Sequence, residues 1–418
     1  MTLRQPRRMA STADLYVACY CGLRDWGGGL RLAQGAVTAS AVRGLRARLV
    51  GVRRKRASGG ADATGPAASP DEAPLRTGGR LWMLRSLTVA RQLADWLRTQ
   101  PRPSAGFLAV SPFWVLAARA AWPELPVGYL FPCLLTNCLP HVHAGEGGFS
   151  RRLHRAAIAW IERRALLAAT VTIAPTQLAR DEIAKFSPSA TQRIRVAPFG
   201  CHAPALSTVD RAAARRRLGF GPSDFALLAA GVFDRNKGFE LAIEALASCP
   251  PHVRLVLAGD GPQQQRLLSD AARRAVGARV VLPGPQSEMA WLIAACDAAL
   301  STSHYDTYPN VLLEALAAGR PVIAPRHDPP RVHAGITELI GRGGGVTYER
   351  SRAASLAEAI ETIAGDPRRY AQLSAEAAAI GDSIDWEPLA RLIGEFARPA
   401  RRAQRKRERP ELEAVHGA

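Results

Sequence analysis

Two acids and two cations in the second half of this 418-residue chain have the types and spacing to handle a phosphorylated ligand. Asp306 and Glu314 are separated by seven residues within STSHYDTYPNVLLEALAAGRPVIAP, residues 301–325. The pattern predicts a strand end, a polar loop, a helix from Pro309 to Ala318 stopped by Gly319, and a strand from Pro321 to Ala324. Pro309 suits a first helical turn, because the amide it lacks has no partner there. Glu314 is the only acid in that helix, among Val311, Leu312, Leu313, Ala315, Leu316 and Ala317. Burying it unpaired is costly, so it needs a partner. Helical side chains lean toward the N-terminus, which carries Glu314 up to the mouth where Asp306 sits. The free helix amides near Thr307 to Asn310 and the positive end of the helix dipole make that mouth a place for an anion. An arbitrary buried Glu more often bonds a neighbouring amide, and an Asp here more often caps the helix. The surrounding residues reverse that preference.

The cations lie in GVFDRNKG, residues Gly231 to Gly238, where Arg235 and Lys237 follow a strand. Of 55 basic residues only four are lysine (Lys55, Lys185, Lys237 and Lys406), so a lysine where an ammonium suits a phosphate is mildly informative. A surface turn with two cations is the ordinary alternative. A third element is Gly27 to Gly29, opening a helical run from Leu30 to about Leu45 after the strand-like LYVACY. Gly28 and Gly29 let backbone amides approach a phosphate, although such turns are common.

These elements sit in an alternation of strands and helices that implies parallel sheets with helices on both faces, an α/β architecture. In the second half FALLAAGVF, VRLVLAGD, VVL and AALS read as strands between helices, and ligands of such sheets bind at the strands' carboxyl ends. Residues 1–203 read as a first domain, 204–215 as a linker, 216–384 as a second domain, 385–398 as a helix crossing back, and 399–418 as a basic disordered tail. Residues 53–79, running from RRKR into ASGGADATGPAASPDEAP, read as a mobile insertion, since the composition buries too little apolar surface to fold alone.

Asp306 and Glu314 inside DTYPNVLLEALAAGRPVIA resemble the acid-x7-acid signature of the retaining family 4 glycosyltransferases, the glycosyl transferases group 1. The resemblance implies the GT-B fold: two Rossmann-like domains with parallel sheets facing a central cleft. It implies that Glu314 holds the ribose of a nucleotide sugar and that Asp306, where the family usually has Glu, contacts the transferred sugar. Lys237 matches the family's diphosphate clamp, while Val232 stands where the family has Arg, leaving Arg235 as the nearest replacement. Gly28 and Gly29 fall on the family's phosphate loop and Gly284 beside the base; Thr307, Pro309 and Asn310 complete the donor side. A histidine that often follows the strand at Val127 to Phe131 is replaced by Pro132 and Cys133, with His141 and His143 as acceptor-side substitutes. The implied reaction moves a sugar from a nucleoside diphosphate, UDP or GDP, to a hydroxyl with retention, using Asp306, Lys237 and Arg235, no cofactor and no metal. A lipid-linked or glycan acceptor of envelope polysaccharide, lipopolysaccharide or glycolipid assembly is the implied partner.

Composition bounds the rest. Seven cysteines show no metal-ligand spacing, and the basic N-terminus lacks the apolar core of a signal peptide, which points to the cytoplasm. The formal charge of +19 draws a protein to anionic surfaces. Phe149 to Ala169 reads as a basic amphipathic helix, able to rest on the inner membrane face but as readily an ordinary surface helix. No aromatics interleave with the basic tail, so nucleic acid is not expected to bind. The rival readings are a catalytically impaired paralogue that binds nucleotide sugar and supports a partner, a nucleotide-sugar epimerase or phosphorylase of the same fold, and a glycosidase using both acids.

Overall fold

The structure is a computed structural model that describes residues 14–19, 28–54, 71–75, 82–142 and 148–398. The expected tail, 399–418, lies outside them. The first half forms a seven-stranded sheet of β1 (Leu15–Ala18), β2 (Ala47–Arg54), β3 (Glu72–Leu75), β4 (Gly106–Ala109), β5 (Val127–Leu130), β6 (Val171–Ala174) and β7 (Ile194–Val196), in the order β3-β2-β1-β4-β5-β6-β7. Every pairing is parallel. Central strands such as LYVA, GFLA and VGYL are buried throughout, as a parallel sheet covered on both faces requires.

The second half has β8 (Phe225–Ala230), β9 (Val253–Ala258), β10 (Val280–Gly284), β11 (Ala298–Leu300), β12 (Tyr305–Asp306), β13 (Val322–Pro325), β14 (His333–Ala334) and β15 (Gly345–Tyr348). Six of these strands form a parallel sheet ordered β10-β9-β8-β11-β13-β15, and β12 pairs with β14 beside it. In both sheets the order reverses beside the first strand, between β1 and β4 and between β8 and β11. Crevices at such reversals are where ligands of open α/β sheets bind. The chain segments leaving β8 and β11 carry Lys237 and Asp306.

Two expectations need correction. Residues 53–79 are not wholly irregular: Arg53 and Arg54 belong to β2, and Glu72–Leu75 pairs with it as an edge strand. An edge strand needs mainly backbone pairing, buries little (here Ala73), and tolerates Pro74 because one side of it faces no neighbour. The segment expected as a linker also holds helix Arg211–Arg217, whose Arg211 and Arg215 both pair with Asp297 of the second half, at 2.6 and 3.2 Å.

A helix over 387–398 places Leu389, Ile393 and Phe396 in one cluster with Leu15, Val17 and Leu30, so the last helix packs on the first sheet. Trp386 lies flat enough on Gly35 and Gly200 that a β-carbon at either would overlap its ring, at 1.9 and 2.6 Å.

Candidate active site

Lys237 and Asp306 are 69 residues apart in sequence and meet at 2.7 Å, Nζ to Oδ2. A single side chain aligns the loops that carry them. The Asn236 amide nitrogen donates to the Tyr305 carbonyl at 3.0 Å, its oxygen accepts from the Tyr305 amide at 3.1 Å, and its backbone carbonyl accepts from His304 at 2.8 Å. The Thr302 hydroxyl donates to the Lys237 carbonyl at 2.7 Å, and Arg350 donates in turn to the Thr302 carbonyl at 2.8 Å. Two glycines make this geometry accessible. Gly231 has φ +151°, and a β-carbon there would lie 2.9 Å from the Lys237 stem. Gly238 has φ +58° at the start of the following helix, where a β-carbon would meet the Arg350 guanidinium. Burial works against the Lys237 ammonium, but the Asp306 carboxylate outweighs it and holds its pKa above the ordinary value.

Glu314 is buried in helix Asn310–Ala317, whose N-cap is Pro309, so the helix lies within a residue of the expected span. One carboxylate oxygen pairs with Arg31 of the first half, and the other, Oε2, is buried with no hydrogen-bond partner. Arg31 comes from helix Gly28–Val42, so the glycine-opened helix delivers a guanidinium to the acid on the opposite side. The Thr307 hydroxyl is likewise buried and unpartnered, and its carbonyl sits so close to Gly335 that a β-carbon there would lie 1.9 Å away. Asn310 is half-buried at the first helical turn.

The other expected residues are dispersed. Arg235 is exposed, and among the described residues no hydrogen bond or ion pair joins it to Lys237 or Asp306. Val232 is 54% exposed after β8. Gly284 ends β10 with φ +79° facing open space, and Gly29 likewise has open space where a β-carbon would be. His141 lies in helix Leu135–Val142 and His143 outside the described residues.

Where the expected histidine is missing, the structure brings in residues that sequence reasoning passed over. The neighbouring Cys133, then burial and the Asp306 charge, hold the Cys138 thiol well above its ordinary pKa. The Tyr305 hydroxyl donates to Glu182 Oε2 at 2.6 Å and accepts from the Leu134 amide at 3.0 Å, tying the Asp306 strand to the first half. His333 stacks on Tyr305 with ring centroids 4.8 Å apart, and burial lowers its pKa to about 4. Glu182 is expected nowhere in the sequence pattern; burial raises its pKa although Tyr305 and Asn137 both donate to it. Glu338 bridges the halves too, accepting from the first amides of helix Gln177–Phe186. Among the described residues no group of three or more His, Cys, Asp or Glu side chains is arranged to hold a metal ion.

Comparison with known proteins decides the family. The family described as Glycosyl transferases group 1 matches residues 210–379. The glycogen synthase of Mycobacterium tuberculosis is 30% identical over 312 residues, covering 71% of this chain and 70% of that protein. The chain belongs to the glycosyl transferases group 1. This transferase is also 33% identical over 142 residues to the lipopolysaccharide core biosynthesis glycosyltransferase LpsE of Rhizobium meliloti, covering 34% of this chain and 39% of that one. Its fold matches the crystal structure of Anabaena Alr3699/HepE in complex with UDP and glucose, with a TM-score of 0.66 and 20% identity over 92% of this chain and 98% of that one. The expected GT-B fold of the transferase is borne out by that likeness and by its two parallel sheets. Asp306 and Glu314, which carried the resemblance, both fall inside the matched residues 210–379.

Proposed function

We propose that this transferase moves a sugar from a nucleoside diphosphate sugar to an acceptor hydroxyl, with retention at the anomeric carbon and without a metal. The observation that carries the reading is the buried Glu314, one oxygen of which is left without a partner beside an occupied one. A ribose hydroxyl is a donor of the size and polarity to satisfy it. Lys237 and the amides at the start of helix Asn310–Ala317 face the diphosphate, whose charge grows as the bond to the anomeric carbon breaks. The acceptor oxygen forms the new bond on the same face, and its proton passes to the departing diphosphate. Asp306, held by Lys237, contacts the transferred sugar. The structural neighbour bound to UDP and glucose supports a nucleotide donor of this class.

The acceptor proposed is a lipid-linked or envelope glycan. LpsE supports this reading. So does helix Gly148–Ala168, which leaves Leu153, Trp160 and Leu167 exposed at helical spacing, with Arg164 over the Trp160 ring at 5.0 Å. Flotation with anionic vesicles tests that contact: wild type is expected to float and Trp160→Ala to float less, and a wild type that does not float would place the enzyme off the membrane.

The deciding experiment measures UDP, GDP and their sugars against wild type and Glu314→Ala by calorimetry, then turnover with and without EDTA. One nucleotide is expected to bind, the variant to lose it, and turnover to persist in chelator. Loss of turnover restored by Mn or Mg would refute the metal-free route. The exposed Val232 in place of the family's arginine favours a second reading, a binder that supports a partner without turning over. Nucleotide binding with no turnover on any acceptor would select it.

A further inference from the structure

A cavity of about 530 Å³ lies between the two halves, walled by helices Gly148–Ala168 and Gln177–Phe186 on one side and by residues 304–305 and 327–333 on the other. Neither Lys237 nor Asp306 lines it, yet Tyr305 does, and Asp306 is its neighbour in β12. Its size is that of a site for a small ligand, about 300–1,000 Å³.

Its charge is unbalanced. Arg155, Lys185 and Arg331 line it from three separate elements, and among the described residues none of them has an acid within ion-pair distance. The acids in its wall are already engaged: Asp181 pairs with Arg180 at 3.0 Å, and Glu182 accepts from Tyr305 and Asn137 at 2.6 and 2.7 Å. A second observation is independent of charge. His333 lines the cavity, is only 7% exposed, and leaves Nε2 without a hydrogen bond, the nearest acid oxygen being Glu182 Oε2 at 3.7 Å. Beside it, His327 Nδ1 accepts from the Ala334 amide at 3.3 Å, so the neutral ring carries its proton on Nε2 as a donor. A buried ring nitrogen without a partner, on a residue in the cavity wall, is a group that still lacks its hydrogen bond.

We propose that this cavity binds a phosphate group carried by the acceptor substrate, seating the acceptor beside Asp306. The inference rests on the transferase reading and adds the chemical class of the acceptor. Three cations from three elements suit a tetrahedral phosphate; a carboxylate is served by one bidentate arginine. The imidazoles stay neutral at neutral pH, since burial lowers both pKa values, so they orient the group while the cations supply the charge.

The test compares glucose 6-phosphate with glucose, and phosphatidylcholine vesicles containing phosphatidic acid with vesicles lacking it, by calorimetry and co-sedimentation. The proteins are wild type, the pair Lys185→Ala with Arg331→Ala, the rescue Lys185→Arg, and Arg152→Ala as a charge removed outside the cavity. The phosphorylated form is expected to bind wild type at least about tenfold more tightly, the scale of one charge-assisted bond. The paired variant should lose that preference, and Lys185→Arg and Arg152→Ala should keep it. Binding of the soluble phosphosugar assigns a free sugar phosphate; binding of the vesicles alone assigns a lipid headgroup. Equal binding of both forms, or an equal loss in Arg152→Ala, overturns the proposal. UDP and GDP affinities on the same variants keep the two readings apart. Cavity-dependent phosphate binding with no nucleotide binding leaves the site standing and removes the transferase reading.

Discussion

The two walls of the cleft are held by different chemistry. On the second-half wall, the proposed donor wall, Asn236, a neutral amide, fixes the Lys237 and Asp306 loops through three hydrogen bonds, and Thr302 and Arg350 buttress the same turn. On the first-half wall, the proposed acceptor wall, the fixed points are buried carboxylates. Glu162 accepts from the Leu135 and Thr136 amides at 2.6 and 3.1 Å, and Glu182 holds Tyr305 and Asn137. A neutral anchor has the same strength across the physiological pH range. An acidic one changes with protonation, so the contacts of Glu162 and Glu182 depend on pH where those of Asn236 do not.

The largest effect should come from breaking the donor wall at its cation. Lys237→Ala strips Asp306 of its 2.7 Å partner and removes the ammonium that the proposed reaction sets against the leaving diphosphate. Preorganised charge of this kind is worth about 10²–10³ in kcat. Steady-state kinetics should show that loss mainly in kcat, whereas Lys185→Ala in the acceptor cavity should raise the acceptor KM. A kcat loss under about tenfold for Lys237→Ala would mean that the pair only shapes the loop.

The same contrast explains what was legible in the sequence. Lys237, Asp306 and Glu314 lie in contiguous windows, GVFDRNKG and HYDTYPNVLLEALAAG, so the family resemblance could be matched to them residue by residue. Helix Asn310–Ala317 departs from the expected Pro309 to Ala318 only at its ends, because Pro309 serves as the N-cap. The cavity is assembled from Arg155 and Glu182 of the first half and Tyr305 and His333 of the second, which no local period links. Arg31 was closer to view: it stands two positions after Gly29, a cation on a helix that must otherwise face the core, and its partner was the acid already judged to need one. The strand Glu72–Leu75 was hidden because an edge strand leans on backbone bonds, and its side chains carry no alternation to read.

A smaller effect sharpens the contrast through pH. Burial raises the Glu162 carboxyl from 4.5 to about 7, against three hydrogen bonds from Leu135 and Thr136 that favour the charged form. Between those values the folded chain holds a proton that the unfolded chain has released, so stability falls as pH rises through that window and levels above it. Glu162→Gln abolishes this titration. Its melting temperature relative to wild type should therefore rise by about 4 °C between pH 5 and pH 7.5. His333, lowered to about 4, acts in the opposite sense but is present in both proteins and cancels. A difference that stays flat with pH would show that Glu162 is ionised throughout, and the two walls would then be alike.

The smallest effect probes the place where the donor wall departs from its relatives. Val232 follows β8, is 54% exposed, and stands where the sequence resemblance would put the family's diphosphate-binding arginine. Val232→Arg adds a guanidinium without displacing a core side chain, so the melting temperature should stay within about 1 °C. If the diphosphate passes the end of β8, one new charge-assisted bond should tighten nucleotide binding by up to about tenfold in calorimetry. An unchanged affinity would mean either that Arg31 or Arg235 already supplies that charge, or that the diphosphate lies elsewhere. Repeating the measurement in Arg31→Ala separates the two: a gain appearing only there identifies Arg31 as the substitute, brought from the first half to complete the donor wall.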